Sequence, residues 1–278
     1  MNILFLGDVV GEPGRKAVRD RLPKLRQKHA VDFCVVNGEN AAGGAGITPR
    51  IAEYLFAGGV DVLTLGDHTW DNREVYGIID REPRLIRPAN YPEGAPGKGL
   101  VVCSTQGGVK VAVLNLLGRQ FFKFQPDCPF RKVDAMLKEI GSQAKVILID
   151  FHAEATAEKI AFGRFVDGRA SAVFGTHTHV ATADAQVFPK GTAYITDAGM
   201  CGPHESVIGR CIEPIIQRML TQLPQRYTMA EHDVRLNGAL VEVDESTGKA
   251  RSIRRICEVL EETRSPKSPA PATPEPAN

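Results

Sequence analysis

Six side chains able to ligate a metal, Asp8, Glu39, Asp67, His152, His177 and His179, each stand at the end of an apolar run. The runs are "ILFLGD", "DFCVVNGEN", "DVLTLGDHTWD", "KVILIDFHAE" and "SAVFGTHTH". Three carboxylates and three imidazoles form a hard-to-borderline donor set, suited to iron, manganese or zinc and not to thiolate chemistry. A lone histidine at a strand end is usually a hydrogen-bonded surface residue, and a lone carboxylate there is often a helix N-cap. Six such residues at matching places point instead to a dinuclear metal centre. In an open α/β sheet the carboxyl ends of the strands line one crevice. Residues two apart on a strand face the same way, so His177 and His179 are expected to enter that crevice together.

The elements that must position these residues follow a repeated pattern of apolar run, glycine or polar cluster, and helical segment. Helices are expected from Pro13 to about His29, after the Thr48-Pro49 N-cap, after Pro129, and behind His152. Strands this apolar, separated by helices, predict a buried and largely parallel sheet at the start. Later, "TAYITDAG", "GALVEVDES" and "ARSIRRICEVL" read as antiparallel strands, the last two joined around Ser246–Gly248. Mixed sheets flanked by helices are therefore expected, forming a single domain over residues 1–262. The segment 263–278, within "TRSPKSPAPATPEPAN", is rich in proline and poor in large apolar residues, and is expected to be a flexible tail.

Composition narrows the function. The 278 residues are 43% hydrophobic and 24% charged, with a formal net charge of +1. That balance argues against a dedicated nucleic-acid surface, so no stable nucleic-acid binding is expected. The N-terminus lacks a basic leader, and no apolar run reaches membrane-spanning length, so no membrane partner is expected. Cys34, Cys103, Cys128, Cys201, Cys211 and Cys257 are scattered and read as reduced thiols, which makes the cytoplasm the expected compartment. His29, His204 and His232 lie away from strand ends and read as structural. "NAAGGAGIT" lacks the Gly-Lys-Ser/Thr of a phosphate loop and reads as a backbone passing close to the centre. The charged run "RKAVRDRLPKLRQK" reads as a solvated helix face. Arg119 is a weak candidate phosphate contact.

A family resemblance rests on these same stretches. Asp8 in "GDVVG", Glu39-Asn40 in "NGENAAGG", "GDHTWDN", "DFHAE" and "GTHTHV" resemble, in order and spacing, the calcineurin-like metallophosphoesterases. More narrowly, "ENAAGGAGIT", "HTWDN" and "TDAGMCGP" resemble the YmdB family of bacterial cyclic-nucleotide phosphodiesterases, over roughly residues 1 to 260. The resemblance implies an α/β four-layer sandwich of two mixed sheets between helices, and a centre of two metal ions. Iron is expected first, with manganese or zinc as alternatives. Carried over by position, one ion would be held by Asp8, Glu39, Asn40 and His179. The other would be held by Glu39, Asp67, His152 and His177, with Glu39 bridging and His68 donating a proton. Asp71 either orients His68 or caps a helix.

Two departures stand out. The wider superfamily has a histidine where this chain has Val10, which leaves the first ion short of a ligand that Asn40 would replace. The narrower family usually has asparagine where this chain has Asp67, which adds one negative charge. The activity implied is hydrolysis of 2′,3′-cyclic nucleotides by a metal-bridging hydroxide. The residues alone do not separate these substrates from 3′,5′-cyclic nucleotides or simple esters. A phosphomonoesterase or protein phosphatase of the same superfamily is one alternative, and a regulatory nucleotide-binding protein with weak turnover is another. An amidohydrolase fits poorly, because its His-x-His should come on the first strand of a barrel. The expected partner is a small nucleotide, and a homo-oligomer is left open.

Overall fold

The apolar runs sort into two sheets. The structure, a computed structural model, describes residues 1–260; the expected tail at 263–278 lies outside the described residues. In chain order the first part runs β1 (Asn2–Leu6), β2 (Asp8–Val9), α1 (Gly11–His29), β3 (Val31–Asn37), α2 (Pro49–Ala57), β4 (Val62–Thr64), a 3-10 turn (Arg73–Gly77) and β5 (Leu85–Ile86). The middle runs β6 (Leu100–Ser104), β7 (Lys110–Leu117), α3 (Pro129–Ile140), β8 (Val146–His152), α4 (Thr156–Phe165), β9 (Ala172–Thr176), β10 (Gln186–Val187) and β11 (Ala193–Ile195). The chain ends with β12 (Met200–Pro203), α5 (Ile212–Thr221), β13 (Val234–Val243) and β14 (Ala250–Val259).

One sheet has the order β2-β12-β13-β1-β3-β4-β5 with β14 paired to β13, and the other has the order β10-β11-β9-β8-β7-β6. β1, β3, β4 and β5 are mutually parallel, as are β7, β8, β9 and β11. Alternation along β1 shows how the layers stack. Ile3 and Phe5 point into the space between the sheets with Phe33, Val113, Leu148 and Phe174. Phe5 and Phe174 stack there with centroids 4.4 Å apart. Leu4 and Leu6 point the other way, onto Leu22 of α1 and Leu55 of α2. On the far side, Val133 and Met136 of α3 and Phe162 of α4 pack on Leu114, Ile149 and Val173. The result is helix, sheet, sheet, helix, the four-layer sandwich expected.

One strand differs from expectation. β11, from "TAYITDAG", is antiparallel only to the two-residue edge strand β10 and runs parallel to β9. β10 reverses the chain first, so its return strand takes the direction of β9. β13 and β14 are antiparallel, as the sequence suggests.

Candidate metal centre

Both sheets end at the same place. β1, β3 and β4 lead into Asp8, Glu39, Asn40, Asp67 and His68 from one sheet, and β8 and β9 deliver His152, His177 and His179 from the other. Asp8, Glu39, Asn40 and His152 are buried. Gly66 is what lets the loop after β4 approach this closely: a Cβ there would stand 2.1 Å from Glu39 Oε2 and 2.5 Å from His152 Nε2.

The partners on the outer side of each imidazole decide what faces inward. Thr176 Oγ1 donates its proton to Asp150 Oδ1 at 2.7 Å, so at 2.9 Å it accepts from His152 Nδ1. Asp150 is itself fixed by Thr64 Oγ1 at 2.5 Å and Asn37 Nδ2 at 2.9 Å. His152 Nε2 then faces Asp67 Oδ1 at 3.0 Å, Glu39 Oε1 at 3.1 Å and His177 Nδ1 at 3.0 Å. His177 Nε2 is occupied by Glu154 Oε2 at 3.0 Å. His179 Nδ1 donates to Ile208 O at 3.1 Å, leaving Nε2 to face Asn40 Oδ1 at 3.2 Å. Asn40 Nδ2 donates to Gly44 O at 3.3 Å, which fixes its carbonyl oxygen toward the histidine.

Each neutral imidazole thus aims a lone pair at other lone pairs. Such an arrangement fits a cation and little else. Ligand atoms of Glu39, Asp67, His152 and His177 all lie within 4.8 Å of one another. Separations near 3 Å match neighbouring donors around an ion held at about 2.1 Å. Asp8 contributes a buried Oδ1 with no hydrogen-bond partner, while its Oδ2 accepts from His177 N at 3.3 Å. A proton competes for the same space. Burial lowers the pKa of His152, but Glu39 and Asp67 outweigh it and hold it well above the ordinary histidine value. Burial alone would raise Asp67; the His152 and His177 contacts hold it well below the carboxylate range. Burial lowers His179, with the Ile208 carbonyl opposing, which favours the neutral form that ligates.

The two histidines of "GTHTHV" reach the site by a different route from the one their spacing suggests. β9 stops at Thr176, and His177 and His179 have φ of 100° and 66°. Left-handed backbone at two non-glycine residues is unfavourable and needs outside support. Asp197 Oδ2 supplies it, accepting from Thr178 N at 3.1 Å and Thr178 Oγ1 at 2.8 Å. Lys159 Nζ pairs with the same carboxylate at 2.7 Å, both side chains being 1% exposed.

His68 stands beside the cluster, its N–H donating to Glu39 Oε2 at 3.3 Å. Its Nδ1 meets Asp71 Oδ2 at 2.7 Å, whereas Asn72 caps the following turn by accepting from Glu74 N at 3.0 Å. Asp71 is therefore the orienting residue and not the cap. Burial pulls the His68 pKa down, but Glu39, Asp67 and Asp71 together lift it above the usual value.

Arg119 lines a separate cavity of about 450 Å³ with Gln120, Phe121 and Glu158, and none of the cluster residues lines it. His29 meets Arg254, and His204 sits between Gly202 O and Asn237. These two and His232 stand outside the cluster. Asp150, Lys159 and Asp197 are not among the residues the sequence points to, whereas Glu154 stands with His152 at the end of "KVILIDFHAE". The carboxylate inside the apolar run "VILIDFH" was the available signal for Asp150.

Two mixed sheets between helices, with carboxylates and imidazoles gathered where both sheets end, are the architecture of the calcineurin-like metallophosphoesterases. Within that class the chain belongs to the YmdB-like protein family, whose model matches residues 4–256. It is 51% identical over 256 residues to the 2′,3′-cyclic-nucleotide 2′-phosphodiesterase of Bacillus subtilis (strain 168), covering 92% of this chain and 96% of that protein. A solved structure described as a novel phosphatase from Mycoplasma pneumoniae superposes with a TM-score of 0.87 at 35% identity, over 93% of each chain. A hypothetical protein from Thermus thermophilus gives the same TM-score of 0.87 at 42% identity, over 93% of this chain and 99% of that one. Among the described residues no helix is long and apolar enough to cross a membrane.

Proposed function

We propose that this protein is a metal-dependent phosphoric diester hydrolase that opens the cyclic phosphodiester of 2′,3′-cyclic nucleotides. The observation that carries the reading is the convergence of carboxylate oxygens and imidazole nitrogens from Glu39, Asp67, His152 and His177 at the shared edge of the two sheets. The relative from Bacillus subtilis, named for this activity, supports the substrate class.

In this reading two ions are held, one by Asp8, Glu39, Asn40 and His179, the other by Glu39, Asp67, His152 and His177. Glu39 supports both groups, with Oε1 toward His152 and Oε2 toward the loop that carries His68. Iron is the expected metal, and the nitrogen and oxygen donors suit manganese or zinc as well. Bound ions would activate water and offset charge on the phosphoryl oxygens. By placing those ions, Glu39, Asp67 and the imidazoles would set where the phosphoryl group sits. Water adds to phosphorus and gives up a proton to solvent as one ribose oxygen leaves; that oxygen takes a proton from His68 Nε2, which solvent then restores. Asp71 on the opposite nitrogen keeps Nε2 turned to the site, and with Glu39 and Asp67 it favours the protonated ring. Both sheets contribute to one site, which supports reading residues 1–262 as a single catalytic domain. Six free cysteines are compatible with the cytoplasm as its compartment.

The test is metal analysis of anaerobically purified protein, paired with turnover of 2′,3′-cyclic, 3′,5′-cyclic and monoester substrates. The expected result is about two ions per chain and a preference for the 2′,3′-cyclic diesters. Preference for monoesters would replace this reading with that of a phosphomonoesterase. Full metal loading with no turnover of any ester would favour a nucleotide-binding regulator.

A further inference from the structure

A row of aromatic rings lies beside the cluster. Phe122 lies 5.0 Å from His177 between ring centroids, and Phe124 follows at 6.1 Å. Tyr91 comes next at 5.6 Å, then Trp70 at 5.6 Å and Tyr76 at 5.4 Å. Phe122 and Phe124 stand in the irregular segment between β7 and α3, where neither strand nor helix periodicity asks for an apolar residue. The outer rings cover one another: Phe124 and Tyr91 lie 10° from parallel, and Trp70 and Tyr76 lie 15° from parallel.

Phe122 is different. It is tilted 52° to His177, 44° to Phe124 and 30° to His152. Among the described residues no ring lies flat on it, and the side chain is only half-buried. The plainer reading is packing against His177. Packing alone accounts poorly for an aromatic ring left partly open to water beside a charged cluster, because the open part gains nothing from burial.

We propose that Phe122, backed by Phe124 and Tyr91, is the platform on which the substrate's nucleobase stacks. The inference rests on the nucleotide reading above. A nucleotide anchored by its phosphate at the cluster carries its base one ribose away, as a flat ring with a π-face. Stacking of a base on an aromatic side chain is strong and tolerant of base identity, because every base offers that face. The platform therefore selects nucleotides over base-less diesters, with purines favoured modestly over pyrimidines.

The experiment compares adenosine 2′,3′-cyclic phosphate with glycerol 1,2-cyclic phosphate, which keeps the five-membered diester and lacks the base. In Phe122→Leu the preference for the nucleotide, as a ratio of kcat/KM values, should fall about 5- to 100-fold, mainly through KM. Phe122→Trp should keep or strengthen it. Binding of adenosine 3′-monophosphate, measured by calorimetry against inorganic phosphate, should show the same selective loss in Phe122→Leu. Equal loss for both members of each pair would return Phe122 to a packing role beside His177 and overturn the platform. If Phe122→Leu does not fold, a preference lost in Phe122→Trp would overturn it equally. A wild type that cleaves neither cyclic diester would instead bring down the catalytic reading, and the platform with it.

Discussion

His152 Nε2 and His177 Nδ1 face each other at 3.0 Å, while the far nitrogen of each ring is engaged by Thr176 or Glu154. Two lone pairs at that distance repel unless something positive lies between or beside them. The outer hydrogen bonds thus choose the tautomers, and the tautomers create the demand for a cation.

Chelation should therefore cost stability. A ligand that binds only the folded state adds about 2.7 kcal/mol when present at 100 times its Kd. The melting temperature is expected to drop on chelation and to recover with added manganese(II). His177→Ala and His179→Ala should each remove one of two ions while circular dichroism stays native. A melting temperature indifferent to chelator would mean that no ion contributes to the fold.

Thr176→Val keeps the shape of the side chain but cuts the link from Asp150 to His152. Loss of such an outer partner typically costs 10- to 100-fold in metal affinity, and about that loss is expected in a metal titration. Affinity equal to wild type would mean that His152 is oriented by packing alone.

His68→Ala separates binding from proton transfer. Both ions should be retained, while hydrolysis of esters with poor leaving groups slows by about 10²–10⁴-fold. A nitrophenyl diester, whose leaving group needs little protonation, should suffer far less. Equal damage to both substrates would assign His68 to substrate positioning. Asp71→Asn should give a weaker version of the same pattern.

Lys159→Met leaves Asp197 buried without its countercharge. Breaking a buried pair this way typically costs about 3–5 kcal/mol, to be read by denaturant unfolding. Adding Asp197→Asn should recover part of the loss. An unchanged unfolding midpoint in Lys159→Met would mean that the pair does not support the loop carrying His177 and His179.

Much of this was legible because apolar runs end where the ligands begin. The strand ends before Asp8, Glu39 and Asp67 and the helix cap at Thr48 needed only local chemistry, and the structure agrees at each. Two things were not local. Which runs join which sheet depends on pairing across long separations, so the assignment of each strand to its sheet and the direction of β11 came from the structure, although the resemblance implied two sheets. The aim of His177 and His179 depends on positive φ held by Asp197, a residue about twenty positions away within "TDAGMCGP", whose link to the two histidines no local pattern shows. Phe122 escaped notice for a related reason. Aromatic residues in irregular segments obey no period.

The pairing of β1 has a further meaning for how the molecule comes into being. Asn2 pairs with Val31 on one side and with Glu242 on the other. β1 can pair with β3 soon after both are synthesised but must wait for its other neighbour until β13 has been made. Under the metal-dependent reading proposed above, the finished centre is then a late product of synthesis, and chains truncated before β13 should bind less metal than the full chain.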